Sequence, residues 1–137
     1  MAYGQLKSTK LCADGRYDDA LTAVIGELAS DPDEPEAWFN RGQALAGLDR
    51  FAEAAAAYEH ALDMDASASA VDPEAIDDEL FFVLRRQAEN LAADREAAFE
   101  VLRRYLVVLP EGRHVDDVPK WIDKLSGKEK LWVREQA

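Results

Sequence analysis

The chain has 137 residues, of which 48% are hydrophobic and 9% aromatic, so its composition is that of a globular protein and not of a disordered one. Its length fits a single domain, 1–137, with a sizeable core. The formal net charge of −12 argues against nucleic-acid binding, which needs a basic face, and against adsorption to anionic lipid. Gly and Pro are sparse while Ala, Leu and Glu are common, which favours helices over sheets.

The cysteine content and the N-terminus bear on the cellular compartment. A single cysteine, Cys12, cannot form an intrachain disulfide, which favours a reducing compartment. The first ten residues, MAYGQLKSTK, lack an apolar segment, so we expect no signal peptide. No apolar run reaches the roughly 18–20 residues of a membrane helix. The sequence therefore predicts an acidic cytoplasmic protein that binds neither nucleic acid nor membranes.

Residues 1–34 and 35–68 are predicted to be two copies of one repeating unit. Each copy contains two helical stretches separated by a turn, which is GLDR at 47–50 in the second copy. Pro32 ends the first copy, and Pro35 suits the first turn of the next helix. A shift of 34 residues aligns Leu11 with Leu45, Arg16 with Arg50, Tyr17 with Phe51, Ala20 with Ala54, Ala23 with Ala57, Leu28 with Leu62 and Asp31 with Asp65.

The second copy places large and small residues at fixed intervals along its two helices: Trp38, Gly42, Leu45, Ala54, Tyr58 and Ala61. This arrangement resembles a tetratricopeptide repeat, whose pattern is W-x2-L-G-x2-Y, then A-x3-F, then P, over 34 residues. The chain departs from that pattern at Arg41, where the family favours Leu, and at Ala66, where it favours Pro. The small residues are expected where two helices cross closely.

Residues 77–110 are predicted to form a divergent third repeat. At a shift of 44 residues the second helices align, but Gly42 then falls on Arg86, which would obstruct close packing. A shift of 46 instead places Ala88 at the position of Gly42 and requires a turn two residues shorter. We prefer this register, in which the residues aligned with Trp38, Gly42 and Leu45 are Leu84, Ala88 and Leu91.

Residues 116–136 are predicted to be a capping helical segment, because the last repeat of a solenoid leaves an apolar face to cover. Trp121 is interpreted as a lid on the third hairpin. Trp132 lies in the later part of the same segment. The resemblance as a whole implies an all-α fold: a right-handed superhelix of about three helix-turn-helix hairpins with a C-terminal capping helix.

No residue in the sequence stands out as catalytic, and we expect no enzyme activity, cofactor or metal. A P-loop, a dinucleotide-binding glycine motif, a nucleophile elbow and a zinc-protease helix are all absent. His60 and His114 do not stand beside Cys12 in any metal-like spacing, and Cys12 is interpreted as a small core residue. The acidic runs at 31–36 and 72–79 are interpreted as solvated boundaries that carry helix-start charge.

The resemblance implies a non-catalytic protein–protein interaction module or scaffold that binds a peptide or partner helix on its concave face. In this family the first helix of each hairpin lines that face. The corresponding residues are Gln5 and Thr9 in the first repeat and Phe39, Asn40 and Gln43 in the second. Amide side chains both donate and accept hydrogen bonds, which suits them to an extended peptide backbone. Phe39 would add a flat apolar contact.

Arg85 and Arg86, with Arg103 and Arg104, form the main local excess of positive charge. We expect Arg85 or Arg86 to pair with an acidic stretch of the partner. The alternative is intramolecular pairing with nearby glutamates. Two other functions stay open: a self-associating homodimeric scaffold, which a persistent monomer in light scattering would reject, and an enzyme with an unrecognised site.

Overall fold

The computed structural model describes residues 6–64 and 71–127. Within these ranges the chain folds into seven α-helices and contains no strand, so the fold is an all-α helical repeat. The chain divides into two compact units between Val83 and Leu84. The helices are α1 (Lys7–Ala13), α2 (Tyr17–Ser30), α3 (Pro35–Gly47), α4 (Phe51–Leu62), α5 (Pro73–Asn90), α6 (Arg95–Val108) and α7 (Asp117–Ser126).

The first unit contains the two predicted hairpins, α1 with α2 and α3 with α4. Helix α3 also packs against α2 and α1, so the second hairpin stacks on the first. The turns of the two hairpins are equivalent: Gly15 and Asp49, 34 residues apart, both have left-handed backbone, with φ of 74° and 60°. The 34-residue repeat is therefore present in the backbone as well as in the sequence.

Proline and acidic side chains set the helix starts. Pro35 is the first residue of α3, and the Glu34 carboxylate accepts a hydrogen bond from Glu36 N at 3.1 Å. Asp94 caps α6 in the same way, accepting from Ala97 N at 3.2 Å. Pro73 begins α5, so this helix starts four residues before the predicted third repeat.

Small residues mark the close helix crossings of the first unit, as predicted. A Cβ atom added to Gly42 would lie against the ring of Tyr58, closer than real Cβ contacts allow. A Cβ atom added to Gly47 would lie just as close to the ring of Tyr17. Tyr58 is fully buried. Trp38 is half-buried, and its indole N–H donates to the Pro32 carbonyl at 2.8 Å.

The burial along α5 agrees with the shift of 46 residues only in part. Ala88, aligned with the buried Gly42, is buried, and Arg86 is exposed, but Leu91, aligned with the buried Leu45, is half-buried and lies beyond the end of α5. The expectation of a shorter turn is wrong, because α5 already ends at Asn90. The connection to α6 at 91–94 has four residues, against three at 48–50.

Helix α7 lies within the segment 116–136 that was predicted to be a cap. It packs against α6 and buries Val118. Trp121 is half-buried, with the Arg85 guanidinium 4.7 Å and the Lys124 ammonium 4.3 Å from its ring centroid. The later part of the predicted cap, including Trp132, lies outside the described residues.

None of the helices in the two described ranges combines the length and hydropathy that a membrane span requires.

Candidate functional site

The polar residues between α1, α2 and α3 form one hydrogen-bond network with Asn40 at its centre. Asn40 is 4% exposed, and its Nδ2 donates to the hydroxyls of Ser8 and Thr9, both at 2.8 Å. The Ser8 hydroxyl in turn donates to the Glu27 carboxylate. The Thr9 hydroxyl donates to Glu36 Oε1 at 2.6 Å. Each hydroxyl therefore gives its proton to a carboxylate and accepts one from the amide, so every donor has an acceptor.

Both carboxylates of this network lie at helix N-termini. Helix α1 has no capping side chain of its own, and Glu27 of α2 accepts from Ser8 N in its first turn at 3.0 Å. Glu36 lies in the first turn of α3. Negative charge is favoured at these positions because the unpaired N–H groups and the helix dipole are positive there. The network therefore ties α1 to both α2 and α3 while satisfying buried polar groups.

The Cys12 thiol borders the network. It packs beside the buried Leu11, Ala20 and Ala44, and its S–H donates to the Asn40 carbonyl at 3.5 Å. Burial, and secondarily the negative charge of Glu27, raise the pKa of Cys12 to about 11. This environment fits the interpretation of Cys12 as a core residue and suppresses the thiolate that chemistry at sulfur requires.

Cys12 should therefore react slowly with thiol reagents in the folded chain. A pKa of about 11 instead of 9.0 leaves roughly a hundredfold less thiolate at pH 8. We expect dithionitrobenzoate to label the native protein at least about a hundredfold more slowly than the chain in denaturant. Equal rates in the two states would show that the thiol is neither buried nor close to Glu27.

Beside the network, Phe39 and Gln43 lie one turn apart on α3, and both are half-buried. We call this pair the α3 face. The Tyr58 hydroxyl donates to Gln43 Oε1 at 2.6 Å, and the Phe39 and Tyr58 ring centroids are 5.6 Å apart. Among the described residues, none accepts a hydrogen bond from the Gln43 Nε2 group. The α3 face thus offers an oriented amide donor next to an aromatic ring.

The charge of a carboxylate on α5 also acts on Tyr58. Burial, and secondarily the charge of Glu79, raise the pKa of the Tyr58 hydroxyl. Burial, and secondarily the charge of Asp78, raise the pKa of Glu79. Glu79 forms no hydrogen bond or ion pair with another residue of the described ranges. Glu79 is therefore a half-buried carboxylate without a counter-charge among the described residues, and burying a charge in this way is costly.

The structure distributes the predicted site residues over different roles. Thr9 and Asn40 are brought together inside the network, where the Nδ2 donor of Asn40 is used within the chain. Phe39 and Gln43 are joined through Tyr58 on the α3 face. Gln5 lies outside the described residues.

The two predicted arginines belong to the second unit. The Arg85 Nη1 lies 3.6 Å from Glu89 Oε1, and its guanidinium lies over the Trp121 ring. Arg86 is exposed. For Arg85 the structure contains the intramolecular pairing that the sequence left open as the alternative.

Sequence reasoning missed the acidic members of the site. Glu36 was assigned to a solvated boundary, but it is buried, and its carboxylate accepts a hydrogen bond from the Thr9 hydroxyl of α1. Asp77, in the second acidic run, is buried as well. Ser8 carried a usable signal: the 34-residue shift places it at Gly42, and a hydroxyl at a crowded helix crossing needs a partner.

Of the comparisons with known proteins, one gives a match, and it covers the repeats of the first unit. The tetratricopeptide repeat family model matches residues 11–69, which span most of the two hairpins of the first unit. No curated protein and no solved structure matches the chain significantly. Tetratricopeptide repeats generally mediate protein–protein interaction and are typically non-catalytic. Residues 11–69, which carry the stacked hairpins, therefore match tetratricopeptide repeats.

Proposed function

We propose that the chain is a non-catalytic interaction module or scaffold whose α3 face binds a peptide or a partner helix of another protein. The Gln43 amide carries this proposal. Its oxygen is held by the Tyr58 hydroxyl, which fixes the orientation of an Nε2 donor that has no acceptor in the described part of the chain. An extended peptide offers backbone carbonyls for such a donor, and the Phe39 ring offers an apolar contact.

In this proposal Thr9 and Asn40 act indirectly. Their hydrogen bonds fix α3 against α1, and the α3 face is positioned by that packing. A rigid, pre-positioned surface loses less conformational entropy when a ligand binds. Direct contact with a partner is therefore assigned to Phe39 and Gln43.

The proposal is tested by selecting random displayed peptides on the immobilised full chain. Peptides selected in this way should bind the double variant Phe39→Ala with Gln43→Ala about tenfold more weakly than the parent, because a few anchors carry most of the binding energy. Affinity is measured by fluorescence anisotropy with labelled peptide.

Ile25→Ala is the matched control, since Ile25 is 66% exposed and belongs to α2, so its truncation removes apolar surface that is not part of the α3 face. This variant should bind like the parent. Circular dichroism must show parental helicity for both variants. Peptide binding that survives the double substitution in a folded variant would contradict the proposal.

A further inference from the structure

The two compact units differ in charge. Residues 1–83 contain 18 Asp and Glu against 5 Lys and Arg, whereas residues 84–137 contain 10 against 11. The first unit therefore repels an anionic segment of a partner, and the second unit does not. A surface of this chain that binds an anion is expected in the second unit.

A tryptophan of the second unit lies beside two cationic side chains. The ring of Trp121 on α7 is half-buried, with the Arg85 guanidinium carbon 4.7 Å and the Lys124 ammonium nitrogen 4.3 Å from its centroid. Both distances fit cation–π contacts. Arg85 also has a counter-charge, because its Nη1 lies 3.6 Å from Glu89 Oε1. We call Arg85, Trp121 and Lys124 the Trp121 patch.

Two groups of the Trp121 patch have no partner in the described part of the chain. The Lys124 side chain is exposed, and no carboxylate of residues 6–64 or 71–127 forms an ion pair with it. The Trp121 indole N–H donates to no residue of the same ranges, whereas the indole N–H of Trp38 donates to the Pro32 carbonyl. A carboxylate would pair with the ammonium group and accept from an indole N–H.

We propose that the Trp121 patch binds an acidic segment of a partner protein, with an Asp or Glu carboxylate paired to Lys124 and an adjacent apolar side chain against the Trp121 ring. The ring offers a large apolar contact whose edge carries a hydrogen-bond donor. The Trp121 patch and the α3 face share no residue, so this inference goes beyond the proposed function and does not depend on it.

Binding to the Trp121 patch should be weak, because an exposed ion pair contributes little and salt screens it. It is therefore tested by direct titration of the ¹⁵N-labelled full chain with a terminally blocked peptide of Glu and Leu, at an ionic strength of about 0.01 M. The indole resonance of Trp121, identified by its absence from the Trp121→Phe variant, should shift progressively. A peptide of equal length with Gln in place of Glu should leave it almost unmoved.

Two lysine variants locate the charge that matters. Lys124→Gln should weaken binding of the acidic peptide about threefold to fivefold, because the ammonium group beside the ring is lost. Lys120→Gln is the matched control, since it removes the same charge one turn earlier on α7. Its ammonium group already lies 3.9 Å from Asp117 Oδ1, so the affinity should change less than about 1.5-fold. Circular dichroism must show parental helicity for both variants.

The possible results separate this inference from the proposed function. An unmoved Trp121 indole signal, or an equal shift with the Gln peptide, overturns the inference. Equal losses of affinity in the two lysine variants also overturn it, because the peptide would then respond to the charge of the whole unit. The double variant Phe39→Ala with Gln43→Ala should bind the acidic peptide like the parent, so failure of either proposal leaves the other standing.

Discussion

Replacing Asn40 by Asp should lower the free energy of unfolding by about 3–5 kcal/mol, although the two side chains have nearly the same shape. The Asn40 amide supplies the hydrogens for the hydroxyls of Ser8 and Thr9, whose own protons go to Glu27 and Glu36. An aspartate has no hydrogens to donate to these hydroxyls. It would also place a third carboxylate in the buried network, beside those of Glu27 and Glu36. Urea unfolding followed by circular dichroism measures the change.

Asn90→Asp is the control for this substitution, because it adds the same charge at an exposed helix end and should cost less than about 0.5 kcal/mol. In the Asn40→Asp variant, protonation of the introduced carboxylate would restore one O–H donor. The stability difference between this variant and the parent should therefore shrink as the pH falls from 7 towards 4. A loss below about 1 kcal/mol at pH 7 would mean that the network does not hold the helices together.

Replacing Gly42 by Ala should destabilise the chain by about 1–3 kcal/mol, even though Ala is the better helix former. The added methyl group would meet the ring of Tyr58, which is fully buried and held by its hydroxyl at Gln43. Moving the ring aside would strain that hydrogen bond. Gly42→Leu should cost more, for the same reason. Thermal and urea unfolding both measure the effect.

Gly26→Ala provides the opposite control. Gly26 lies inside α2 and is exposed, and a Cβ added there meets nothing within 4 Å. This substitution should stabilise the chain by about 0.5–1 kcal/mol through helix propensity alone. If Gly42→Ala were also stabilising, the close crossing of α3 and α4 would be refuted.

Much of the fold could be predicted from the sequence, because close helix packing restricts the residue types at certain positions and these positions recur at a fixed interval. A helix crossing as close as that of Gly42 and Tyr58 admits only a small residue, and the 34-residue shift repeats such positions along the chain. Proline at the start of α3 is an equally local signal. The end of α5 at Asn90 carried no such signal, so the turn length of the third hairpin was predicted wrongly.

The candidate site was less predictable, because its hydrogen bonds join residues far apart in the chain. Asn40 and Gln43 are both amides on α3, and sequence reasoning gave them the same role. The structure separates them. The Asn40 amide donates to α1, whereas the Gln43 oxygen accepts from Tyr58 of α4 and the Gln43 nitrogen has no acceptor among residues 6–64 and 71–127. Only the three-dimensional packing of α1 against α3 decides which amide is used internally.

Helix α3 holds the fold through Asn40 and, in our proposal, meets a partner through Gln43. Side-chain amide resonances of the full chain, recorded by ¹⁵N NMR during titration with a selected peptide, test this division of roles most directly. We expect the Gln43 side-chain signals to shift with the peptide while those of Asn40 stay in place. A peptide that binds yet moves Asn40 and leaves Gln43 unchanged would contradict it.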